Sequence, residues 1–321
     1  MLNKLLPTIL TSIIFLGIFL GVSDIIFVDN GFDLIFDTNS TTSIIFWELR
    51  LPRLLTAILV GASLALAGCL SQYLFNNPLA DPYILGTASG ASLGANLLPL
   101  ILPIGLLSTT LGAWLGAVVI TGITLLISFK NKHIQVYKLL LNGMAMSSFA
   151  AAVISFLIFT TSSDQQLRQI IFWVIGSFER AQWIQIPFLA IVLLLTLVYL
   201  YFKHNALTLL LIGEEQAKVM GLNTNVLKIT LLLFLTLLVS FSVACAGPIG
   251  FVGIVIPHIA RSINSKLNYN YYVISSLLGA CLLLFGEIIS HPIYPPSGLP
   301  IGVLTSFIGV PFFVYLINKG K

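Results

Sequence analysis

The chain has 321 residues, of which 58% are hydrophobic and only 8% charged, with a formal net charge of +4. Soluble domains carry roughly 25% charged residues, so an aqueous fold is excluded and the chain reads as an integral membrane protein. Apolar runs long enough to cross a hydrocarbon core of about 30 Å recur along it, and the strict apolar/polar alternation of a β-barrel is missing, so the spans are helices.

Apolar runs and their Pro/Gly punctuation predict ten spans, at 5–28, 53–75, 83–99, 106–129, 136–160, 183–203, 226–246, 250–261, 271–290 and 300–317. The first begins after Lys4 and is too long for a signal-peptide core, with no A-x-A cleavage site, so it reads as a retained helix. The second is entered through WELRLPR, where Arg50 and Arg53 share a face and Pro52 suits the first turn. Two guanidinium groups there can take carboxylates of a soluble partner or anchor to lipid headgroups, and both readings stand on physics alone.

In NNPLADPYILGTASGASLG, Pro78 and Pro82 prevent a continuous helix and free backbone groups that protein or water must satisfy. A pore-facing turn does this, and so does a tight connector. Gly86, Gly90 and Gly94 in the third span, Gly112 and Gly116 in the fourth, and Gly17 and Gly21 in the first recur at the spacing that lets membrane helices pack closely. Between the fifth and sixth spans, Phe172, Trp173 and Phe178 read on their own as an interfacial aromatic belt.

The segment LTLLLIGEEQAKVMGLNTNVLK, Leu207 to Lys228, is the one substantial polar island in the second half of the chain. Beyond it, the core from Gly250 to Arg261 is too short to cross alone and belongs inside the bundle. SLALAG (Ser63 to Gly68) resembles SVACAG (Ser242 to Gly247), a faint sign of two inverted five-helix repeats.

With Lys4 inside and the spans alternating, Lys130, Lys132, Lys138, Lys203, Lys218, Lys228, Arg261, Lys266, Lys319 and Lys321 also fall inside. Arg50, Arg53, Arg168 and Arg180 are left outside. That asymmetry predicts an even number of spans with both termini cytoplasmic. No charge sits near the centre of a predicted span, which disfavours a proton relay; Glu287, near the end of the ninth, and Asp81, in a loop, come nearest. The chain lacks a G-x-x-x-x-G-K-[ST] phosphate loop, so active transport needs energy from another chain. His133, His204, His258 and His291 have no metal-ligand spacing, and Cys69, Cys245 and Cys281 lie in apolar stretches without a C-x-x-C pair. With no nucleophile motif either, an enzyme is not expected.

The segments RLPR, NPLADPYILG, RQIIFWVIGSF, GEEQAKVMG, AGPIGFVGIVIPHIAR and LPIGVLTSFIGVPFFVYLI together resemble the FecCD-type permeases of the iron-siderophore, haem and cobalamin class of ABC importers. The likeness runs in one register from Trp47 to the C-terminus. It implies one all-α polytopic permease domain over residues 1–321, with about ten transmembrane helices, in a bacterial cytoplasmic membrane. The partners it implies are a second permease, identical or paralogous, two cytoplasmic ATPases that use the ATP, and an extracellular binding protein. The cargo would be an iron-siderophore chelate, with haem or cobalamin as alternatives; no cofactor on this chain and no nucleic acid are implied. The rival from another class is an ion-coupled secondary transporter or channel.

By the same resemblance, short coupling helices between helices 6 and 7 match residues 207–222, with Leu210, Gly213, Glu214, Glu215, Ala217, Lys218, Met220 and Gly221 as contacts to the ATPase. The glycines are expected at turns, with Glu214, Glu215 and Lys218 on exposed faces and Ala217, Val219 and Met220 supplying apolar contact. Arg50 and Arg53 match outward arginines that dock the binding protein. His291 stands where cobalamin members carry a third basic residue after the ninth helix. Asn77, Pro78 and Leu79, with Asn142, Gly143 and Met144, match an inner gate; Arg168, Phe172, Trp173 and Phe178 match the outer mouth.

Overall fold

Each of the ten expected spans forms a helix, and the boundaries that moved are those nearest the functional segments. The computed structural model describes residues 2–26, 40–103, 105–130, 133–161, 163–264, 267–293 and 298–319. In chain order the helices are α1 (Leu2–Ile26), α2 (Leu51–Phe75), α3 (Thr87–Ile101), α4 (Leu106–Ser128), α5 (Val136–Thr160) and α6 (Asp164–Ile175). Then come α7 (Ile186–Ile212), α8 (Glu214–Val219), α9 (Thr224–Ala246), α10 (Val252–Ile263), α11 (Tyr269–Ile293) and α12 (Ile301–Lys319). Among the described residues, seven helical runs are long and apolar enough to cross a membrane, while α10 and the Ile301–Tyr315 part of α12 are shorter apolar helices. A two-residue antiparallel ladder, β1 (Phe129–Lys130) with β2 (His133–Ile134), joins α4 to α5.

The second span is longer than its apolar run. A turn at Thr41–Ile44, capped by the Ser40 hydroxyl accepting from Ser43 N–H, runs through a π-helical stretch, Ile45–Arg50, into α2. Arg50 and Arg53 therefore sit within a continuous helical run. The sixth span, expected to end at 203, continues as α7 to Ile212, because no breaker precedes Gly213 and Leu207 and Leu210 are apolar positions buried in the core. The ninth span reaches Ile293, so His291 lies in the last turn of α11 and not beyond it.

α2 and α9 form the centre. α2 packs against α11, α9, α10 and α7, and α9 against α2, α4, α3 and α7. Small residues permit this density: an added methyl at Gly61 would strike the Gly279 carbonyl, and one at Gly68 the Gly253 carbonyl. The α3–α4 pair is as close. A methyl at Gly94 would collide with the backbone of Gly112, and one at Gly116 with that of Gly90. The stripes of α3 and α4 therefore serve backbone contact, where lipid supplies no hydrophobic force between helices, while Gly17 and Gly21 of α1 make room for side chains such as Leu284 and Leu54.

Both α2 and α9 give way to irregular backbone followed by a short helix. α2 ends on Asn76, left-handed at φ 46°; Asp81 then caps a 3-10 turn at Pro82–Leu85, its carboxylate accepting from Tyr83 N–H at 2.6 Å. α9 ends at Gly247 (φ 71°), and Phe251 (φ 68°) leads into α10. The SLALAG stretch lies in the middle of α2, whereas SVACAG runs to the end of α9, with Gly247 as its C-cap. Pro257 cannot donate to the carbonyl four residues back. That carbonyl, of Gly253, instead faces the side-chain amide of Gln72 on α2 at 3.5 Å.

Candidate functional site

The two regions matched as candidate partner contacts stand at opposite ends of α7. At its start, Trp183 Nε1 donates to the carbonyl of Trp47 at 2.8 Å, which places this end beside the entrance of α2. At its finish, Gly213 begins the polar segment. The 27 residues between the ends span roughly 40 Å at 1.5 Å per residue.

At the polar end the segment holds one short helix. Leu210, which we expected in the coupling contact, is buried inside α7, and Ala217, at 0% exposure, turns inward instead of offering its methyl to a partner. Gly213 (φ 148°) and Gly221 (φ 82°) bend the chain on either side of α8. Asn223 starts α9, its side-chain oxygen accepting from Val226 N–H at 3.2 Å. Val219 is 88% exposed and Met220 65%, so the C-terminal edge of α8 presents apolar surface at this end, beside exposed Ile212 and Val226.

Glu214 differs from the expectation of a fully exposed acid. It pairs with Lys228 of α9, accepts from the Thr224 hydroxyl at 3.3 Å, and lies 3.4 Å from Lys218. Lys228 is only 5% exposed. Partial burial raises the Glu214 carboxyl, but the hydrogen bond and charge of Lys228, aided by Lys218, outweigh it and hold the group below its ordinary value. Glu215 faces water and pairs with Lys218 at 3.1 Å.

At the opposite end, Arg50, Arg53 and His291 line one depression of about 290 Å³ together with Glu287, Gly21 and Pro292. Arg50 donates to the Gly21 carbonyl at 3.4 Å, while Arg53 Nε is buried without a hydrogen-bond partner among the described residues. The three basic positions are thus neighbours, although they come from two helices far apart in sequence. Four residues before His291 on α11, Glu287 brings a carboxylate into the same depression.

The profile of the FecCD transport family matches residues 8–319. The chain belongs to the FecCD transport family. Across 290 residues it is 37% identical to the hemin transport system permease protein HmuU of Yersinia pestis, covering 88% of this chain and 86% of that protein. It is 40% identical over 281 residues to the vitamin B12 import system permease protein BtuC of Serratia proteamaculans, covering 86% and 82%. To the Fe(3+)-citrate import system permease protein YfmD of Bacillus subtilis it is 36% identical over 329 residues, covering 99% and 96%. A solved structure described as an inward-facing conformation of a metal-chelate type ABC transporter superposes with a TM-score of 0.83 at 29% identity, covering 98% of this chain and 99% of that one.

In this FecCD permease, the second of the two stretches matched to an inner gate packs against the 3-10 turn that follows the first. Asn77 and Pro78 are exposed and Leu79 half-buried, in a turn closed by Asn77 Oδ1 accepting from Leu79 N–H at 2.9 Å. Gly143 of α5 is buried against the carbonyl of Ile84 just beyond that turn. Asn142 donates to the Ser128 hydroxyl at 3.0 Å, and Met144 is exposed.

At the other end, Trp173 and Phe178 are buried in the bundle, so they are not a lipid-facing aromatic belt. Trp173 instead walls a cavity of about 520 Å³ with Asn96, Thr109, Thr161 and Arg180. Burial lowers the Arg180 pKa, and the neighbouring Glu179 partly offsets this. Arg168 and Phe172 lie on α6, but their side chains fall outside the described ones.

Sequence reasoning missed Lys228, Glu287 and Tyr83 as members of these regions. A signal existed for Glu287 in its four-residue spacing from His291. None existed for the contact of Tyr83 with Ile249, which joins residues 166 apart in sequence.

Proposed function

We propose that this FecCD permease is the membrane subunit of a binding-protein-dependent ABC importer, carrying an iron-siderophore chelate inward by alternating access. The observation that supports the reading is that the exposed α8 segment and the Arg50, Arg53 and His291 depression lie toward opposite ends of α7, a helix roughly 40 Å long. The α8 end, with Val219 and Met220 outward, suits the groove of a cytoplasmic ATPase, which would supply the ATP hydrolysis. The Arg50, Arg53 and His291 depression suits carboxylates of an extracellular binding protein. Both termini are then cytoplasmic, and a second permease completes the pathway.

An iron chelate is favoured because the relative that matches nearly the whole chain bears the name of an iron-citrate permease, and another is named for hemin. Uptake of labelled ferric siderophores, ferric citrate, hemin and cobalamin by a strain deleted for this chain, with and without complementation, tests the cargo. Complementation that restores only cobalamin uptake replaces the iron reading. Uptake driven by an ion gradient in vesicles holding this chain alone removes the ABC reading altogether.

A further inference from the structure

Motion delivered to α8 has to leave it through something stiffer than its own peptide links. Both links are bends at glycine, Gly213 and Gly221, and the helix between them has six residues. Its inward face carries the buried methyl of Ala217, a side chain with no hydrogen-bonding group. Toward α9 it offers a directional contact: the Glu214 carboxylate is held by the ammonium of Lys228 and by the Thr224 hydroxyl. Lys228 is nearly sealed from water, and a buried charge deprived of its partner is strongly destabilising, so this geometry is enforced.

The far end of α9 is equally constrained. Its 23 residues run roughly 34 Å and finish at Gly247, where three glycines cross. A methyl at Gly247 would meet the Trp173 carbonyl of α6 at 2.6 Å, one at Gly176 would meet the Pro248 carbonyl at 2.5 Å, and one at Gly302 would strike the Ile175 carbonyl. Ser177 N–H donates to the Ala246 carbonyl at 2.8 Å, and Gly302 N–H to Gly176 at 3.4 Å. The end of α9 is therefore pinned to the last turn of α6 and the first turn of α12.

We propose that Lys228 is a positioning residue that makes α9 the output rod of the coupling segment. Displacement of α8 then passes through the Glu214–Lys228 pair, along α9, to the glycine crossing beneath α6 and α12. This deepens the proposed function and rests on α8 being the ATPase contact.

The test uses the assembled complex of this chain with its ATPase and binding protein in lipid nanodiscs. A thiol probe is placed by Ser306→Cys, which lines a depression with Ile175 and Gly302 at the far end of the rod. Maleimide labelling is compared without nucleotide and with ATP plus vanadate, against a control lacking the added cysteine. With Lys228 and Glu214 intact, nucleotide changes the labelling of the probe. Lys228→Met is expected to lose that change while the complex still binds the ATPase and hydrolyses ATP, and the milder Glu214→Gln is expected to lose the change as well. Lys228→Arg keeps the response, and the swapped pair Glu214→Lys with Lys228→Glu regains part of it.

A nucleotide response in Glu214→Gln equal to that of the unaltered chain overturns the proposal. So does loss of ATPase binding in step with loss of the response, because the pair would then merely hold the docking surface together. An unaltered chain that neither binds the ATPase nor responds to nucleotide removes the coupling reading itself, and with it the rod.

Discussion

The phenol oxygen of Tyr83 donates to the carbonyl of Ile249 and accepts from its amide, each at 3.0 Å. One hydroxyl thereby joins the irregular segment after α2 to the irregular segment after α9. Non-helical backbone inside a membrane bundle must be satisfied by protein or water, and here a side chain of one broken segment satisfies the backbone of the other. Ile249 is buried, so Tyr83→Phe leaves an N–H and a C=O unpaired, at about 1–3 kcal/mol for each group. The expected outcome is a lower melting temperature in detergent and lost transport, with membrane insertion retained. A Tyr83→Phe protein as stable as the unaltered chain would show that water replaces the hydroxyl at no cost.

Helices α3 and α4 touch backbone to backbone through Gly90, Gly94, Gly112 and Gly116. Gly94→Val drives a branched side chain into the carbonyl of Gly112, which no rotamer relieves. Overpacking typically costs about 1–3 kcal/mol, and more where the obstacle is backbone. Fluorescent size-exclusion profiles of a tagged protein should change from monodisperse to aggregated. Gly122, with open space around its Cα, should accept alanine without such a change.

For the depression at the opposite end, reversing Arg53 to Glu is expected to weaken binding-protein docking by at least about tenfold, or roughly 1.4 kcal/mol. A complementary reversal on the partner should recover part of the loss. Glu287→Gln should act in the other direction, since it removes the acid that shares the depression with both arginines. Surface plasmon resonance at two salt concentrations measures both effects, and the electrostatic share should shrink at higher ionic strength. Unchanged affinity in Arg53→Glu takes that residue off the docking surface.

Hydropathy and proline/glycine punctuation made the ten helices legible, because apolar runs of membrane length have few alternative structures. The same local signals misplaced the end of α7. Leu207 to Ile212 is apolar but adjoins a polar island, and only tertiary burial of Leu207 and Leu210 decides that it stays helical in the core. Arg50, Arg53 and His291 were named by motif alone, and the structure places all three on one depression. What motif matching could not assign was direction. Glu214 and Ala217 look outward in a linear reading of GEEQAKVMG, yet one turns to a buried lysine 14 residues on and the other into the bundle.

The pairing of Glu214 also has a pH signature. Its carboxyl is depressed in the folded chain relative to the ordinary value of 4.5, so its contribution to stability is present above that value. It disappears as pH falls through the lower, folded value, when the carboxylate takes a proton and leaves Lys228 without its partner. Hydrogen exchange across α8 and the start of α9 should therefore be flat near neutrality and show added exposure only in the acid range, after correction for intrinsic rates. In Glu214→Gln that acid step should vanish. An acid step that survives the substitution assigns the transition to another carboxylate.

At the C-terminal edge of α8, Val219 and Met220 offer apolar surface while Ala217 faces inward, so on the proposed reading the former pair belongs to the ATPase contact. Methionine adapts its shape to a moving groove, whereas a β-branched valine keeps one. Val219→Asp places a charge at the centre of that contact, where desolvation is unfavourable. It is expected to reduce ATPase co-purification severalfold, with the chain still inserted and monodisperse. Ala217→Ser, buried away from the partner, should leave co-purification unchanged. If Val219→Asp retains the ATPase and Ala217→Ser loses it, the partner grips the opposite face of α8, and the helix must rotate from the position it holds here.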